Sequence, residues 1–146
     1  MNTNWIRRLF ATAKMAYNTF LMKISDGIVT YQGVHALLSK HTTQVYISDK
    51  AFITAKKETM EKLIKYSPLK YRKYQAETYD CDDFSFSFMG LMRTVIPNFA
   101  VGIVWTNTHA FNFFIDSQLR VWAIEPQNNK VFPFSEVRGT VRVMMI

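Results

Sequence analysis

Cys81 is the only cysteine in this 146-residue chain, so no disulfide forms within it and the thiol is free for other chemistry. It stands in the run Tyr79-Asp80-Cys81-Asp82-Asp83-Phe84. Asp80 is a good helix N-cap, and Asp82 and Asp83 suit a first turn, where free N–H groups and the helix dipole favour negative charge. The same N–H groups stabilise a thiolate. A nucleophilic thiol needs a base, and the base needs an orienting partner. His109 follows 28 residues later and opens an apolar strand; Glu125 closes the next one, in Trp122-Ala123-Ile124-Glu125-Pro126-Gln127. The plainer reading of each residue taken alone is a buried, inert cysteine and a structural histidine.

Whether His109 and Glu125 meet depends on the loop between their strands. If the loop is Ser117-Gln118-Leu119, Asp116 lies opposite Arg120 as an opposite-charge pair. Phe111 then lies opposite Glu125, and His109 opposite Gln127, all on one face. A two-residue loop would put Glu125 on the other face. The expectation is therefore the odd-length loop, or a bulge that restores the same facing.

The elements that must position these residues are legible as periodicities. Asn4 to about Met22 reads as a helix, with Trp5, Leu9, Phe10, Ala13, Ala16, Tyr17 and Phe20 at helical spacing and a stop at Ser25-Asp26-Gly27. A short helix is expected around Val34–Ser39 and a strand at Gln44–Ser48. A second long helix runs from Thr54 to Tyr66, ended by Ser67-Pro68, and a third from Asp80 to about Met92. Strands follow at Ala100–Thr106, Ala110–Asp116, Arg120–Glu125, Val131–Phe134 and Thr140–Met145, joined by short connections that predict antiparallel neighbours. Helices first and a meander afterwards define an α+β chain. At this length it is one domain, 1–146, with a basic, mostly helical part at 1–75 and the Cys81 helix plus strands at 76–146.

Charge divides the same way. Residues 1–75 hold 13 Lys and Arg against 4 Asp and Glu, whereas 76–146 hold 5 against 7, within a net charge of +7. Lys56, Lys57, Lys62, Lys65, Lys70, Arg72 and Lys73 interleave with Tyr66, Tyr71 and Tyr74. That is the pattern of a nucleic-acid stripe, of a surface for an acidic protein, or of an ordinary solvated face, the last being favoured. The uncharged stretch Thr94–Ile115 has the length of a membrane span, but Pro97, Asn98, Asn107, His109 and Asn112 interrupt it and it reads as two strands. With no signal-peptide pattern, a soluble cytoplasmic protein with no membrane partner is expected.

Taken in order, Tyr79–Phe84, Gly102-Ile103-Val104-Trp105, His109–Asp116 and Trp122–Gln127 resemble the MOA-related family, named for the C-terminal domain of a fungal agglutinin and including single-domain phage proteins. The similarity covers roughly 45–134. It implies a papain-like fold and a calcium-dependent cysteine protease, with Cys81 as nucleophile, His109 as base and Glu125 as its orienting acid, acting on a protein or peptide substrate. It also implies that Asp82, Asp83, Glu125 and Gln127 are positions that can supply oxygen ligands to calcium. The short spacing from Cys81 to His109 departs from papain-like enzymes, and the chain lacks a sugar-binding lectin repeat.

A cation makes physical sense beside such a thiol. Negative charge nearby disfavours thiolate, and Glu77, Asp80, Asp82 and Asp83 crowd this segment. A divalent ion held by some of them reverses the local field, and hard oxygen ligands favour calcium over zinc. The plain alternative is that these acids only cap a helix. For an oxyanion donor the candidates are the Cys81 N–H, Gln127 and, at a papain-like spacing, Gln75, with Gln127 ranked ahead. Trp105 and Trp122 read as core. Two functions compete: a cysteine peptidase, and a catalytically silent phage-encoded protein that binds a host protein or nucleic acid through its basic half.

Overall fold

All six residues of strand β5 (Ala110–Ile115) are buried, which explains why its sequence is nearly continuously apolar instead of alternating. β5 lies inside a six-stranded sheet whose order is β2-β8-β4-β5-β6-β7, formed by β2 (Val45–Tyr46), β4 (Val101–Thr106), β6 (Val121–Glu125), β7 (Lys130–Pro133) and β8 (Val141–Met145). The computed structural model describes residues 4–21 and 26–146. The remaining elements are α1 (Asn4–Leu21), β1 (Gly27–Thr30), α2 (Tyr31–Leu38), β3 (Ala51–Thr54), α3 (Lys57–Lys65) and α4 (Cys81–Val95), with 3₁₀ turns at Pro68–Tyr71 and Phe134–Glu136. β1 and β3 form a separate antiparallel pair.

The sheet is covered on both sides. On one face Phe84, Phe88 and Met92 of α4 pack with Met60, Leu63 and Ile64 of α3 and with Val101, Phe114 and Ile124 of the sheet. On the other, Val34 and Leu38 of α2 and Phe134 pack with Val104, Phe111, Phe113, Ile115 and Ala123. Each such side chain contributes about 1.5–3 kcal/mol on burial. α4 forms because Phe84, Phe88 and Met92 recur every four residues, Asp82 and Asp83 occupy its first turn and Arg93 its last. It ends at Ile96, before Pro97, which disfavours helical backbone in the residue preceding it.

The α+β reading holds, and so does the hairpin register. Asn112 pairs with Ile124 and Phe113 with Ala123. The Asp116 N–H donates to the Arg120 carbonyl at 2.9 Å, and the Arg120 side chain bonds the Asp116 carboxylate at 2.8 Å. Leu119 takes the left-handed conformation (φ 60°) that closes the three-residue loop.

Three expectations are corrected. Thr54 ends strand β3 instead of starting a helix; α3 begins at Lys57, after Ala55 has been drawn into a bridge with Asp116. β8 does not continue the meander beside β7: it crosses back to pair antiparallel with β4, and β2 adds to its outer edge in parallel. The chain turns there through Phe134–Glu136 and Gly139 (φ +86°), and Thr140 N–H donates to Asn107 Oδ1 at 3.1 Å. Finally, Trp5, Leu9 and Phe10 of α1 are exposed, not turned into the core. Met22 and Ser25, expected to end that first helix, lie outside the described residues.

Candidate functional site

His109 and Glu125 meet as the hairpin register requires. His109 Nε2 and Glu125 Oε2 are 2.7 Å apart, and the other carboxylate oxygen of Glu125 accepts the Gln127 N–H at 3.2 Å. Thr106 holds the backbone before the strand: its hydroxyl accepts the His109 N–H and donates to the His109 carbonyl, each at 3.0 Å. The imidazole stacks on Phe111 with ring centres 5.9 Å apart. The hydrogen bond to Glu125 raises the His109 pKa above the ordinary histidine value; partial burial opposes the rise and the carboxylate charge adds to it. Thr108, His109, Phe111, Glu125, Phe132 and Arg138 line part of a cavity of about 310 Å³.

This raised pKa has a measurable consequence. Glu125→Gln keeps the shape of the side chain and removes its charge. The His109 pKa is expected to fall toward the ordinary value, read from the imidazole C–H resonances against pH. The stabilisation from the charged pair is fully present below the unfolded histidine pKa and is lost as pH rises through the higher folded one. The wild-type protein therefore loses this increment as pH rises from the ordinary histidine value through the higher His109 value, and the Glu125→Gln variant does not.

Cys81 is positioned by the core face of α4. Asn112 Nδ2 donates to the Ser85 carbonyl at 2.9 Å and to the Gly102 carbonyl at 3.0 Å, and Ser85 Oγ donates to the Cys81 carbonyl at 2.8 Å. Phe86 packs on Trp105 with ring centres 5.7 Å apart, while Arg93, two turns on, reaches the Val101 carbonyl. Trp105 pairs with Ala110 and Val101 with Phe114, so α4 runs along β5 with its start over the end that His109 opens.

Around that start, one donor atom each from Asp80, Cys81 and Asp82 lie within 4.8 Å of one another. Asp80 Oδ1 is buried without a hydrogen-bond partner. The Asp82 carboxyl is held above the usual carboxylate range, first by its hydrogen bond with the Asp80 carboxyl, then by desolvation and by the Asp80 charge. Asp83 acts as a cap: its carboxylate accepts the Asp80 N–H at 3.2 Å.

The expected residues thus fall into two groups at one end of the sheet. His109, Glu125 and the Gln127 backbone form one; Cys81 and Asp82 form the other, joined by Asp80, which stood among the acids crowding Cys81 in sequence but not among the ligand positions that the resemblance implies. Its unpartnered oxygen cannot be read from sequence, although its position beside Cys81 could. Gln75 is exposed in a turn in which its backbone pairs with that of Tyr79. Part of the basic stripe lies over aromatic rings: Lys57 over Trp122, Lys70 over Tyr71, and Arg72 over Tyr79 at 4.8 Å. Trp122 spans core and hydrogen bonding, donating Nε1–H to Asp116 at 2.8 Å.

No protein-family model and no curated protein matches the chain. Its fold is that of solved lectin structures. One is a PSL1a–E64 complex, with TM-score 0.68 and 22% identity over 82% of this chain. Another is Polyporus squamosus lectin bound to the human-type influenza-binding epitope Neu5Aca2-6Galb1-4GlcNAc, with TM-score 0.66 and 21% identity over 82% of this chain. The chain spans 51% and 49% of the lengths of those two chains.

The agglutinin resemblance therefore holds at the level of fold, and the protease part of it is corrected. A calcium-dependent cysteine peptidase with a papain-like fold was the expectation; the neighbours are lectin structures, and neither comparison supports a protease family or a papain-like fold. The hydrolase reading and its peptide substrate are withdrawn with it. The cavity beside the imidazole is lined by Phe111, Phe132 and Val137, side chains of the core cluster on the α2 side of the sheet. No helix among the described residues is long and apolar enough to cross a membrane.

Proposed function

We propose that the chain is a calcium-responsive small-molecule-binding module. The cation belongs to Asp80 and Asp82 at the start of α4, and the ligand to the cavity beside His109 and Glu125 at the same end of the sheet. The observation that carries this reading is the buried, unpartnered Asp80 Oδ1 among three donor atoms, next to an Asp82 carboxyl that retains its proton unusually well. A divalent cation replaces that proton and satisfies that oxygen. Calcium takes six to eight oxygen ligands, so water completes its shell. The soft thiol of Cys81 is a poor calcium ligand and stays beside the ion instead of holding it. Asp83 is committed to capping and Glu125 to His109, so neither belongs to the calcium set; Gln127 has no role in it.

The complex of PSL1a with E64 supports small-molecule binding and supplies a probe. Calorimetric titration of the chain with E64 should show binding in calcium and at least tenfold weaker binding in chelator, with the calcium effect fading at lower pH as Asp82 takes up its proton. Asp80→Asn combined with Asp82→Asn should abolish the calcium effect. His109→Ala should weaken binding under both conditions. The epitope Neu5Aca2-6Galb1-4GlcNAc is the rival ligand. Binding of that trisaccharide unaffected by chelator and by His109→Ala would place the function on another surface.

A further inference from the structure

Helix α1 has an apolar face that the other described residues leave uncovered. At about 100° per residue, Trp5, Leu9, Ala13, Ile6 and Phe10 follow one another around a single arc. Trp5 is 58% exposed, Leu9 59% and Phe10 69%. Exposed Lys14 and Arg7 border the arc on one side; on the other it is bordered by Thr12, with the half-buried Arg8 beyond. α1 contains no acidic residue. Beside it, Arg7, Phe10 and Lys14 share a surface cavity with Lys65 and Lys70, and no acid lines that cavity among the described residues.

We infer that α1 is an interfacial helix that lays this face on an anionic lipid surface. Three large apolar side chains, one of them tryptophan, together with a rim of cations, are what such a helix needs: the apolar face enters the boundary between headgroups and acyl chains, and the cations meet the lipid charge. With Arg7, Arg8 and Lys14 along its length, α1 lies on a bilayer without spanning it, in keeping with the lack of a membrane-crossing helix among the described residues. Charge complementarity selects the occupant. An acid-free helix flanked by Lys65 and Lys70 suits phosphatidylserine better than a second copy of itself, which would bring like charges together. The inference is independent of the calcium site and departs from the sequence expectation of no membrane partner.

Co-sedimentation of the full chain with mixed phosphatidylserine–phosphatidylcholine vesicles, and with pure phosphatidylcholine vesicles, is the test. Binding to the anionic vesicles should be about tenfold tighter or more and should weaken with salt. Arg7→Glu with Lys14→Glu should remove the preference for anionic lipid. Trp5→Ala with Leu9→Ala and Phe10→Ala should remove binding altogether, and because these side chains are exposed the variant should keep the wild-type circular dichroism. A blue shift of tryptophan emission on adding vesicles should be lost in Trp5→Phe. Equal sedimentation of wild type and the triple alanine variant, or none with either vesicle, overturns the inference. So does a dimer in light scattering that the alanine variant dissociates, since a second copy then covers the face.

Discussion

Gly102→Ala lowers stability by about 3 kcal/mol or more, the upper end for overpacking a close-packed interior, and the melting temperature by about 10 °C for a chain of this size. A Cβ at Gly102 would sit 2.2 Å from the Met145 carbonyl oxygen and 2.5 Å from the Phe113 ring. Neither neighbour can yield cheaply. The oxygen belongs to the backbone of β8, and Phe113 is fully buried in the core of the α2 face. Gly102 is also the residue whose carbonyl accepts from Asn112, the side chain that ties α4 to β5. A displaced β4 therefore loosens the start of α4, and with it Cys81, as well as the sheet. Thermal unfolding followed by circular dichroism measures this; a melting temperature within a degree or two of wild type contradicts the packing described.

Asp116→Ala comes next, at about 3 kcal/mol. The side chain is 1% exposed and accepts five hydrogen bonds of 2.8–2.9 Å: from the Gln118 and Arg120 backbone N–H groups, from two nitrogens of the Arg120 guanidinium and from Trp122 Nε1. Burial by itself pushes its pKa up, but the donors together outweigh burial and hold the carboxyl below the ordinary aspartate value. Arg120 is half exposed and can turn to water, so most of the loss comes from the backbone N–H groups and the indole left without an acceptor. Asp116 closes the loop that sets the register between β5 and β6, and that register is what puts Glu125 on the His109 face. Its contribution is present above the unfolded aspartate pKa and disappears as pH falls through the lower folded one. The stability gap between wild type and Asp116→Ala, measured by urea unfolding, should narrow in strong acid and stay constant from mildly acidic to neutral pH.

The parts of this architecture that were legible in the sequence depend on local chemistry. The requirement that His109 and Glu125 share a face selected an odd-length loop, and the opposite charges of Asp116 and Arg120 agreed with it. The acids around Cys81 marked the start of α4, because an N-terminal turn is where carboxylates are stabilised. The parts that were not legible depend on contacts distant in sequence. β8 returns to β4 because Gly102 admits the Met145 backbone, which no periodicity reveals. β1 and β3 are too short to announce themselves, and of their residues only Thr54 was read into a helix. In α1 the spacing of Trp5, Leu9 and Phe10 correctly gave a helix with an apolar face, but spacing cannot say whether that face meets protein. The peptidase reading failed differently: the order of thiol, imidazole and acid along a chain does not by itself define an activity, and the solved structures that share the fold are lectins.

The most direct test of the proposed function is a single calorimetric comparison of E64 binding to the wild-type chain in calcium and in chelator. The predicted result is saturable binding that weakens at least tenfold when calcium is removed, with that dependence lost when Asp80 and Asp82 are both replaced by asparagine. Identical binding in both conditions, or none in calcium, would contradict it.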